Sequence, residues 1–335
     1  MKNVKNTTAE CVVINIDTAM PLVSIVIPTL YRPKLLKSAL KTAMEQNTSN
    51  FTIEIVVADN SAEGTAQKQV DEAREISKFP IKYTIVPNAG VSNARNAAIT
   101  ISEGTYIAYL DDDQEADPNW LLNMMNESRK TGAAVVFSKV IGKSSTVLPN
   151  QKARIDFFSR AHNDAPSGPT DKFYGCGASL LNLNLIESDL MSFDPAHNHT
   201  GGEDDALFSK IQKAGGTFAW CKEAIMYENV PKERMSKLYI ARRSFGFGQG
   251  PSRLCLQKET RSILGLAKWM TIGLIQMGIF LPLALISWPF ESEFHMKTLR
   301  KGCEGAGKLF WQAPFRQKLY GQAAANKLKK KMPEL

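Results

Sequence analysis

The sequence predicts an α/β fold: a doubly wound, mostly parallel sheet, followed by a helical C-terminal region. Three observations predict it. Short apolar runs rich in β-branched residues alternate with stretches of helical period through residue 110. Each apolar run closes on polar or acidic residues, as expected where the carboxyl ends of parallel strands gather along one edge. After residue 268 the chain changes character and becomes a long uncharged run with basic flanks.

Residues 21–29 read as a buried strand ended by Pro28-Thr29, and Arg32-Pro33 starts a helix whose Leu35, Leu36, Ala39, Leu40 and Ala43 share a face. Residues 52–58 form the second strand, closing on the turn-like Asp59-Asn60-Ser61. A helix over 66–77, a strand over 81–86 and a helix over 92–102 continue the alternation. The fourth strand, 105–110, delivers Asp111, Asp112 and Asp113. This rhythm implies parallel strands joined by helical crossovers, with Pro28-Thr29, Asp59 and Asp111 to Asp113 collected at one edge.

The second half is less regular. Residues 133–140 read as a strand and 144–170, rich in Pro, Gly, Ser and Asn, as a loop. A run of small residues from Gly175 to Ser179 precedes a strand over 180–185; glycine there means either tight strand contact or close approach to a ligand. Gly201-Gly202 leads into Glu203, Asp204 and Asp205 on the first turn of a helix reaching Ala214. A strand over 218–227 follows, and Pro231 opens a helix ending near Gly246. Its Arg234, Arg242 and Arg243 suit either a solvated face or a phosphate clamp. The expected division is an extension over 1–20, an α/β domain over 21–250 and a C-terminal membrane-associated helical region over 251–335.

Composition excludes several classes. The chain has 335 residues, 44% apolar and 22% charged, as in an ordinary globular protein. Its five cysteines include no Cys-x-x-Cys pair, which fits a reducing compartment and disfavours a zinc site. There is no Gly-x-Gly-x-x-Gly after the first strand and no phosphate-loop lysine motif, so any nucleotide phosphates must be held by side chains and a cation. Residues 1–19 lack the apolar core of a signal peptide.

Of the net charge of +8, the stretch 291–335 holds +6, with eight lysines and two arginines against four glutamates. Just before it, residues 269–290 carry no charge over 22 positions, about 33 Å of helix. A basic tail beside such a run points to an anionic membrane surface rather than to nucleic acid. Basic residues on both sides (Arg261 and Lys268; Lys297, Arg300 and Lys301) predict that the run dips into the inner leaflet and returns, with Pro282 as the break.

Three successive carboxylates at a strand end repel one another unless something positive neutralises them. Hard oxygen ligands at that position suit Mg²⁺ or Mn²⁺ carrying a phosphorylated substrate; the alternative is a solvated acidic turn opening the helix at Asp117-Pro118. Glu203 and Asp204 likewise read as helix-start acids or as groups that act together with the strand-end acids. His197 and His199 precede them and read as surface residues or a further metal ligand.

Taken in order, these residues resemble glycosyltransferase family 2, the inverting transferases of GT-A fold, over about residues 23–248. The first strand with Pro28-Thr29 resembles the family's opening strand. Val57-Ala58-Asp59-Asn60-Ser61 resembles its base-binding turn, with Ala58 where an acid is usual. Asn88-Ala89-Gly90 to Ala94-Arg95-Asn96 resembles the segment whose arginine faces the nucleotide. Asp111 to Asp113 resemble the Asp-x-Asp metal motif, and Gly202-Glu203-Asp204 the catalytic-base motif. The later helix and apolar tail are most similar to bacterial exopolysaccharide glucosyltransferases of the succinoglycan type. The Gln-x-x-Arg-Trp of polymer-extruding synthases is absent, since Gln249 is followed by Arg253-Leu254.

The resemblance implies transfer of a sugar from a nucleotide-sugar, with UDP expected, to a saccharide or lipid-linked acceptor at the cytoplasmic face of the inner membrane. Asp113 with Asp111 would hold a divalent cation, Mn²⁺ or Mg²⁺. Asp112 would reach the ribose, Asp59 a uracil imide, Pro28, Thr29 and Arg95 the nucleotide. Asp204 would take the acceptor proton, with Glu203 binding an acceptor hydroxyl or orienting Asp204. Two rivals are an aspartate phosphohydrolase and a membrane-docked, non-catalytic nucleotide-sugar-binding scaffold subunit; intact Glu203-Asp204 speaks against lost chemistry.

Overall fold

The structure is a computed structural model and describes residues 20–160, 164–198, 201–256, 261–290, 292–316 and 322–331. Residues 1–19 of the expected N-terminal extension lie outside the described residues, as do His199 and Thr200.

The strand–helix alternation is present from the start: β1 (Leu22–Thr29), α1 (Pro33–Met44), β2 (Thr52–Asp59), α2 (Gln67–Ile76), β3 (Ile81–Ile85), α3 (Val91–Ile101) and β4 (Tyr106–Tyr109). β1 pairs in parallel with β2 on one side and β4 on the other, and β3 joins beyond β2. Alternate residues of β1 serve opposite faces. Val23, Ile25 and Ile27 pack with Leu36, Leu40 and Val70 from α1 and α2. Val26 packs with Ala94 and Ala98 of α3. Helices therefore cover both faces, which is why these strands read as continuous apolar runs.

Next come β5 (Gln114–Ala116), α4 (Trp120–Thr131), β6 (Val135–Lys143), α5 (Gln151–Asp156), β7 (Gly168–Thr170), β8 (Ser179–Asn182), α6 (Glu203–Lys213) and β9 (Phe218–Asn229). The strand order is β3-β2-β1-β4-β8-β6-β9-β5, with β7 on β9. The long pairings are parallel, whereas β8 runs antiparallel between β4 and β6. That reversal matters for the site, because it sets Tyr109 opposite Ser179. The C-terminal end of β4, which carries the aspartates, thus meets the small residues that lead into β8.

Two sequence expectations are corrected here. The stretch 144–170 is not all loop, since its described residues include α5 and β7. The helix expected from Pro231 begins later, as α7 (Lys237–Leu254), because Ser236 rather than the proline caps it, its Oγ accepting from Tyr239 N at 3.2 Å. Residues 231–236 form the turn before it, and α7 runs past both Gly246 and residue 250.

Three further helices follow: α8 (Ile263–Ser287), α9 (Glu293–Leu309) and α10 (Gln322–Lys331). α8 continues unbroken through Pro282, so the expected reversal at that proline does not occur. A proline removes one intrahelical hydrogen bond and kinks a helix but need not turn the chain back. Instead α9 is the returning leg. It runs antiparallel to α8, with His295 Nδ1 3.0 Å from Ala284 O near one end and Lys308 Nζ donating to Gln276 Oε1 at 2.9 Å near the other. Gly273 and Gly305 let the two backbones touch, since a side chain on either would strike the opposite helix. Gln249, expected to lie outside any synthase motif, is buried and donates to Phe310 O and Phe315 O at 2.8 and 3.0 Å. From α10, Lys329 pairs with Glu63, which also accepts from Tyr31 Oη at 2.7 Å.

Candidate active site

The three aspartates that follow β4 diverge: Asp112 and Asp113 share Arg32, Asp113 also meets Arg234, and Asp111 turns to Arg95. Asp112 is buried; its Oδ2 accepts from Thr29 Oγ1 at 2.9 Å and its Oδ1 from Arg32 Nη1 at 2.9 Å. Asp113 Oδ2 accepts from Arg234 Nη1 at 2.8 Å and from Arg32 Nη1 at 3.3 Å. Asp111 faces the other way, toward Arg95 Nη2 at 3.4 Å, and its carboxylate is one-third exposed. Its backbone N–H donates to Gln114 Oε1, which tightens the turn between β4 and β5.

Arg95, on α3, is the hinge of the arrangement. It is buried, edged by the rings of Tyr109 and Phe193, and donates from Nη1 to Glu203 Oε1 at 2.7 Å. One guanidinium thus ties the strand-end motif to the first turn of α6. Gly202, at φ +86°, turns the chain into that helix in a conformation other residues avoid. Asp204 lies half-buried beside Glu203; its Oδ2 accepts from Cys176 N at 3.3 Å and its Oδ1 from Asp205 N at 2.9 Å. The stretch 175–178 therefore passes between Asp111 and Asp204. A side chain at Gly177 would collide with Asp111 Oδ2, and one at Gly175 would strike Arg160, which donates to Gly175 O at 3.1 Å. Ala178 holds φ +71° there, a strained value for a residue with a Cβ.

Asp59, the residue expected to read a uracil imide, closes the turn after β2. It is fully buried, and its oxygens accept from Ser61 N at 2.9 Å, Ala66 N at 2.7 Å and Tyr83 Oη at 2.9 Å. These bonds fold the turn after β2, so the carboxylate shapes the turn instead of facing an open groove. Arg95 likewise faces carboxylates and aromatic rings. Pro28 and Thr29 lie at the carboxyl end of β1, with Thr29 spent on Asp112. His197 lies in a short 3-10 turn, with Nδ1 3.2 Å from Gly201 O. Arg242 is exposed and Arg243 lies over the Phe247 ring, whereas Arg234 enters this cluster.

Arg32 was missed as a site residue because Arg32-Pro33 reads as a helix start. A signal was present: arginine stands at the N-cap, where Ser, Thr, Asp or Asn is expected, and its side chain makes no cap bond.

Sequence comparison bears directly on this constellation. The description "Glycosyl transferase family 2" fits residues 24–187. The succinoglycan biosynthesis protein ExoM of Rhizobium meliloti (strain 1021) is 32% identical over 233 residues, 69% of this chain and 74% of ExoM. The chain belongs to glycosyltransferase family 2. A shorter stretch of this transferase, 124 residues, is 31% identical to the GalNAc(5)-diNAcBac-PP-undecaprenol beta-1,3-glucosyltransferase of Campylobacter jejuni, covering 36% of this chain and 39% of that one. In fold it is similar to mannosyltransferase PcManGT from Pyrobaculum calidifontis, solved with GDP-Man and Mn²⁺, at a TM-score of 0.59 and 16% identity over 88% of each chain. It is also similar to S. aureus TarS 1-349, solved with UDP-GlcNAc, at 0.53 and 13% identity over 83% of this chain and 89% of TarS. The glycosyltransferase thus has the GT-A fold.

The charges of the site set its ionisation. Burial pushes the Asp112 carboxyl up to about 6, with Asp113 adding and Arg32 opposing. Burial also pushes Asp113 up, but Arg234 and Arg32 outweigh it and hold that carboxyl below its ordinary value. Glu203 is raised by burial and by the charge of Asp204, against the pull of Arg95. Glu228 on β9, 3.6 Å from Arg234, is pushed up to about 7 by burial and by Asp113.

Whether these residues fit a divalent cation is a question of donors. Asp111 and Asp113 offer the hard oxygens that Mg²⁺ and Mn²⁺ prefer, and Gly177, lacking a Cβ, lets the chain pass close against Asp111 Oδ2. Among the described residues no three His, Cys, Asp or Glu groups converge as a metal cage. That suits an ion held by one or two carboxylates, with phosphate oxygens and water completing its shell. The donors match in chemistry, with Asp113 Oδ2 paired to Arg234 and Asp111 turned toward Arg95.

Proposed function

We propose that this glycosyltransferase moves a sugar from a nucleoside diphosphate donor, with UDP as the expected nucleotide, to a saccharide or lipid-linked acceptor in assembly of a cell-surface polysaccharide, and that it inverts the anomeric centre. The observation that carries the reading is the bridge of Arg95 from Asp111 to Glu203, which unites the strand-end aspartates with the α6 N-terminus in one site. The likeness to ExoM supports the polysaccharide context, and the name of the Campylobacter relative supports a lipid-linked acceptor.

In the proposed reaction an acceptor hydroxyl oxygen attacks the anomeric carbon from the face opposite the diphosphate. The carbon–oxygen bond to the diphosphate breaks, and the leaving group takes the electron pair. Asp204 receives the hydroxyl proton as the oxygen becomes acidic during attack. Two facts support Asp204 over Glu203 as the base. Asp204 is half-buried and can meet a substrate, whereas Glu203 is shut in and ion-paired with Arg95. Glu203 then acts by holding the first turn of α6 in register. A divalent cation bound by Asp111 and Asp113 would offset the charge that develops on the leaving diphosphate. Asp112, linked to Thr29, would line the ribose side of the cleft, with Pro28 at its floor, and Asp59 would form the base pocket by shaping its turn.

The reading includes attachment to the cytoplasmic face of a membrane through residues 263–335. α8 has a mean hydropathy of 1.9 over its most apolar window, only 17% of which is buried, unlike the core helix of a soluble protein. Leu264, Ile275, Ile279 and Ile286 are among its exposed side chains. The returning α9 carries Lys297, Arg300, Lys301 and Lys308, charges that would be costly at the bilayer centre if the hairpin spanned. Lying along the inner surface keeps α8 in lipid and the exposed Lys297 and Lys301 at the headgroups.

The test is turnover of a panel of nucleotide sugars with membrane lipid extract as acceptor, followed by mass spectrometry, in the full chain and in Asp204→Asn. A sugar added by the parent and not by the variant supports the reading. Hydrolysis of a phosphate ester by Asp111, with no transfer, would replace it.

A further inference from the structure

Asp113, which the proposed function makes a cation ligand, already has a cation on it. Arg234 Nη1 lies 2.8 Å from Asp113 Oδ2, and Arg32 Nη1 lies 3.3 Å from the same oxygen. The guanidinium of Arg234 is held from behind as well, by Glu228 at 3.6 Å and by the Tyr239 hydroxyl at 3.2 Å. The rings of Phe158 and Tyr239 stand 5.8 and 5.9 Å from it. This is a built seat rather than a chance surface pair. Arg234 itself sits in the turn before α7, so its placement is fixed by the chain that leads into the C-terminal helices.

A divalent ion on Asp113 Oδ2 would be a third positive group there, beside two guanidiniums, and would meet strong repulsion. A divalent ion arriving alone would have to evict Arg234 from Asp113 and leave that guanidinium without its principal anion. A diphosphate changes the balance. It brings negative oxygens that a planar guanidinium binds in a two-pronged fashion, and it brings further ligands for the ion.

We infer that Arg234, assisted by Arg32, competes with the divalent cation for Asp113, so that the cation binds well only together with the nucleoside diphosphate, which takes over the displaced guanidinium. This inference rests on the proposed assignment of Asp111 and Asp113 as cation ligands. In it Arg234 is a positioning residue. It keeps the strand-end acids neutralised in the empty enzyme and couples loading of the ion to loading of the donor.

The test reads Mn²⁺ binding by electron paramagnetic resonance on the full chain, with no acceptor and no turnover. Mn²⁺ is titrated alone and again with saturating UDP, into the parent, Arg234→Gln, Arg234→Lys and Arg32→Gln. The inference expects Mn²⁺ alone to bind Arg234→Gln at least tenfold tighter than the parent, with Arg32→Gln shifted the same way by less. Arg234→Lys, which keeps the charge, should stay near the parent. With UDP present the advantage of Arg234→Gln should vanish or reverse. If Arg234→Gln proves unstable, the Arg32→Gln titration decides by its direction. Mn²⁺ binding that is unchanged or weaker in the glutamine variants would overturn the competition while leaving the metal assignment intact. Absence of Mn²⁺ binding in the parent even with UDP would remove the metal assignment, and the inference with it.

Discussion

Arg95 Nη1 meets Glu203 Oε1 at 2.7 Å, joining residues 108 positions apart in the chain and both almost wholly out of solvent. Removing one partner of such a pair leaves the other charge buried and unmatched, which costs about 3–5 kcal/mol. Arg95→Met should therefore lower the unfolding free energy by that order, read in a urea titration. Transfer activity should fall at least tenfold, because α6 loses its register. Arg95→Lys should not restore it, since an ammonium lacks the two-pronged reach toward Glu203 and Asp111. Activity equal to the parent in Arg95→Met would separate the two motifs.

Asp204→Asn keeps the size of the side chain and removes the proton acceptor. Turnover should fall roughly 10²-fold or more while donor affinity stays close to the parent. Calorimetry with UDP and steady-state kinetics together read the two quantities. If the variant turned over normally, the base would have to be reassigned to Glu203 or Asp205.

Chelation should abolish transfer, and added Mn²⁺ or Mg²⁺ should restore it, because a diphosphate otherwise meets Asp111 and Asp113 uncompensated. Asp113→Ala should remain folded by circular dichroism and stay inactive at any metal concentration. Full activity in excess chelator would exclude the cation from the reaction.

Acid stability has a separate origin, at the opposite end of β2. Glu54 is almost fully buried and accepts from Ser24 Oγ and Glu103 N, both at 2.6 Å, and its other oxygen lies 2.8 Å from Lys82 Nζ. Burial alone would raise its carboxyl, but these partners outweigh it and hold it below its ordinary value. A group depressed in the folded state stabilises above its unfolded pKa, about 4.3. That contribution is lost as pH falls through the lower folded value. Glu54→Gln should thus cost about 1–3 kcal/mol at neutral pH, with the gap to the parent narrowing below pH 4. A gap that stayed constant across the range would assign the loss to shape rather than to charge.

For the membrane reading, lysine at Ile275 and Ile279, both on the exposed face of α8, should release the protein from vesicles containing anionic lipid. A cysteine at Lys330, probed in intact cells with an impermeant thiol reagent, should stay unlabelled from outside. Labelling would mean that α8 crosses once without return, and the hairpin would be wrong.

Much of this was legible in the sequence, for reasons that are local. The first four strands and three helices were readable because each apolar run and each helical face repeats within a dozen residues and ends on turn chemistry. Asp111 to Asp113 and Glu203-Asp204 were readable as charges at element ends. What escaped depends on distant partners. Nothing near Leu180 says that its strand inserts antiparallel between β4 and β6. Pro231 looked like a helix start, but Ser236 supplies the cap that sets the boundary. Nor does the sequence around Asp59 say that Ala66 and Tyr83 close on its carboxylate. Arg32 and Arg234 reach the aspartates from 80 and 121 positions away, distances at which spacing carries no information.

The pairing of Asp113 with Arg234 also bears on how the protein is made. A chain emerging from the ribosome completes the stretch that matches the family by residue 187, long before it has Glu203, Asp204 or Arg234. By then Arg32 and Arg95 can already meet Asp112 and Asp111, but Asp113 lacks Arg234 until residue 234 is free of the exit tunnel. Synthesis thus passes through an interval in which the sheet edge carrying Asp111 to Asp113 exists before Glu203, Asp204 and Arg234 have been added to it.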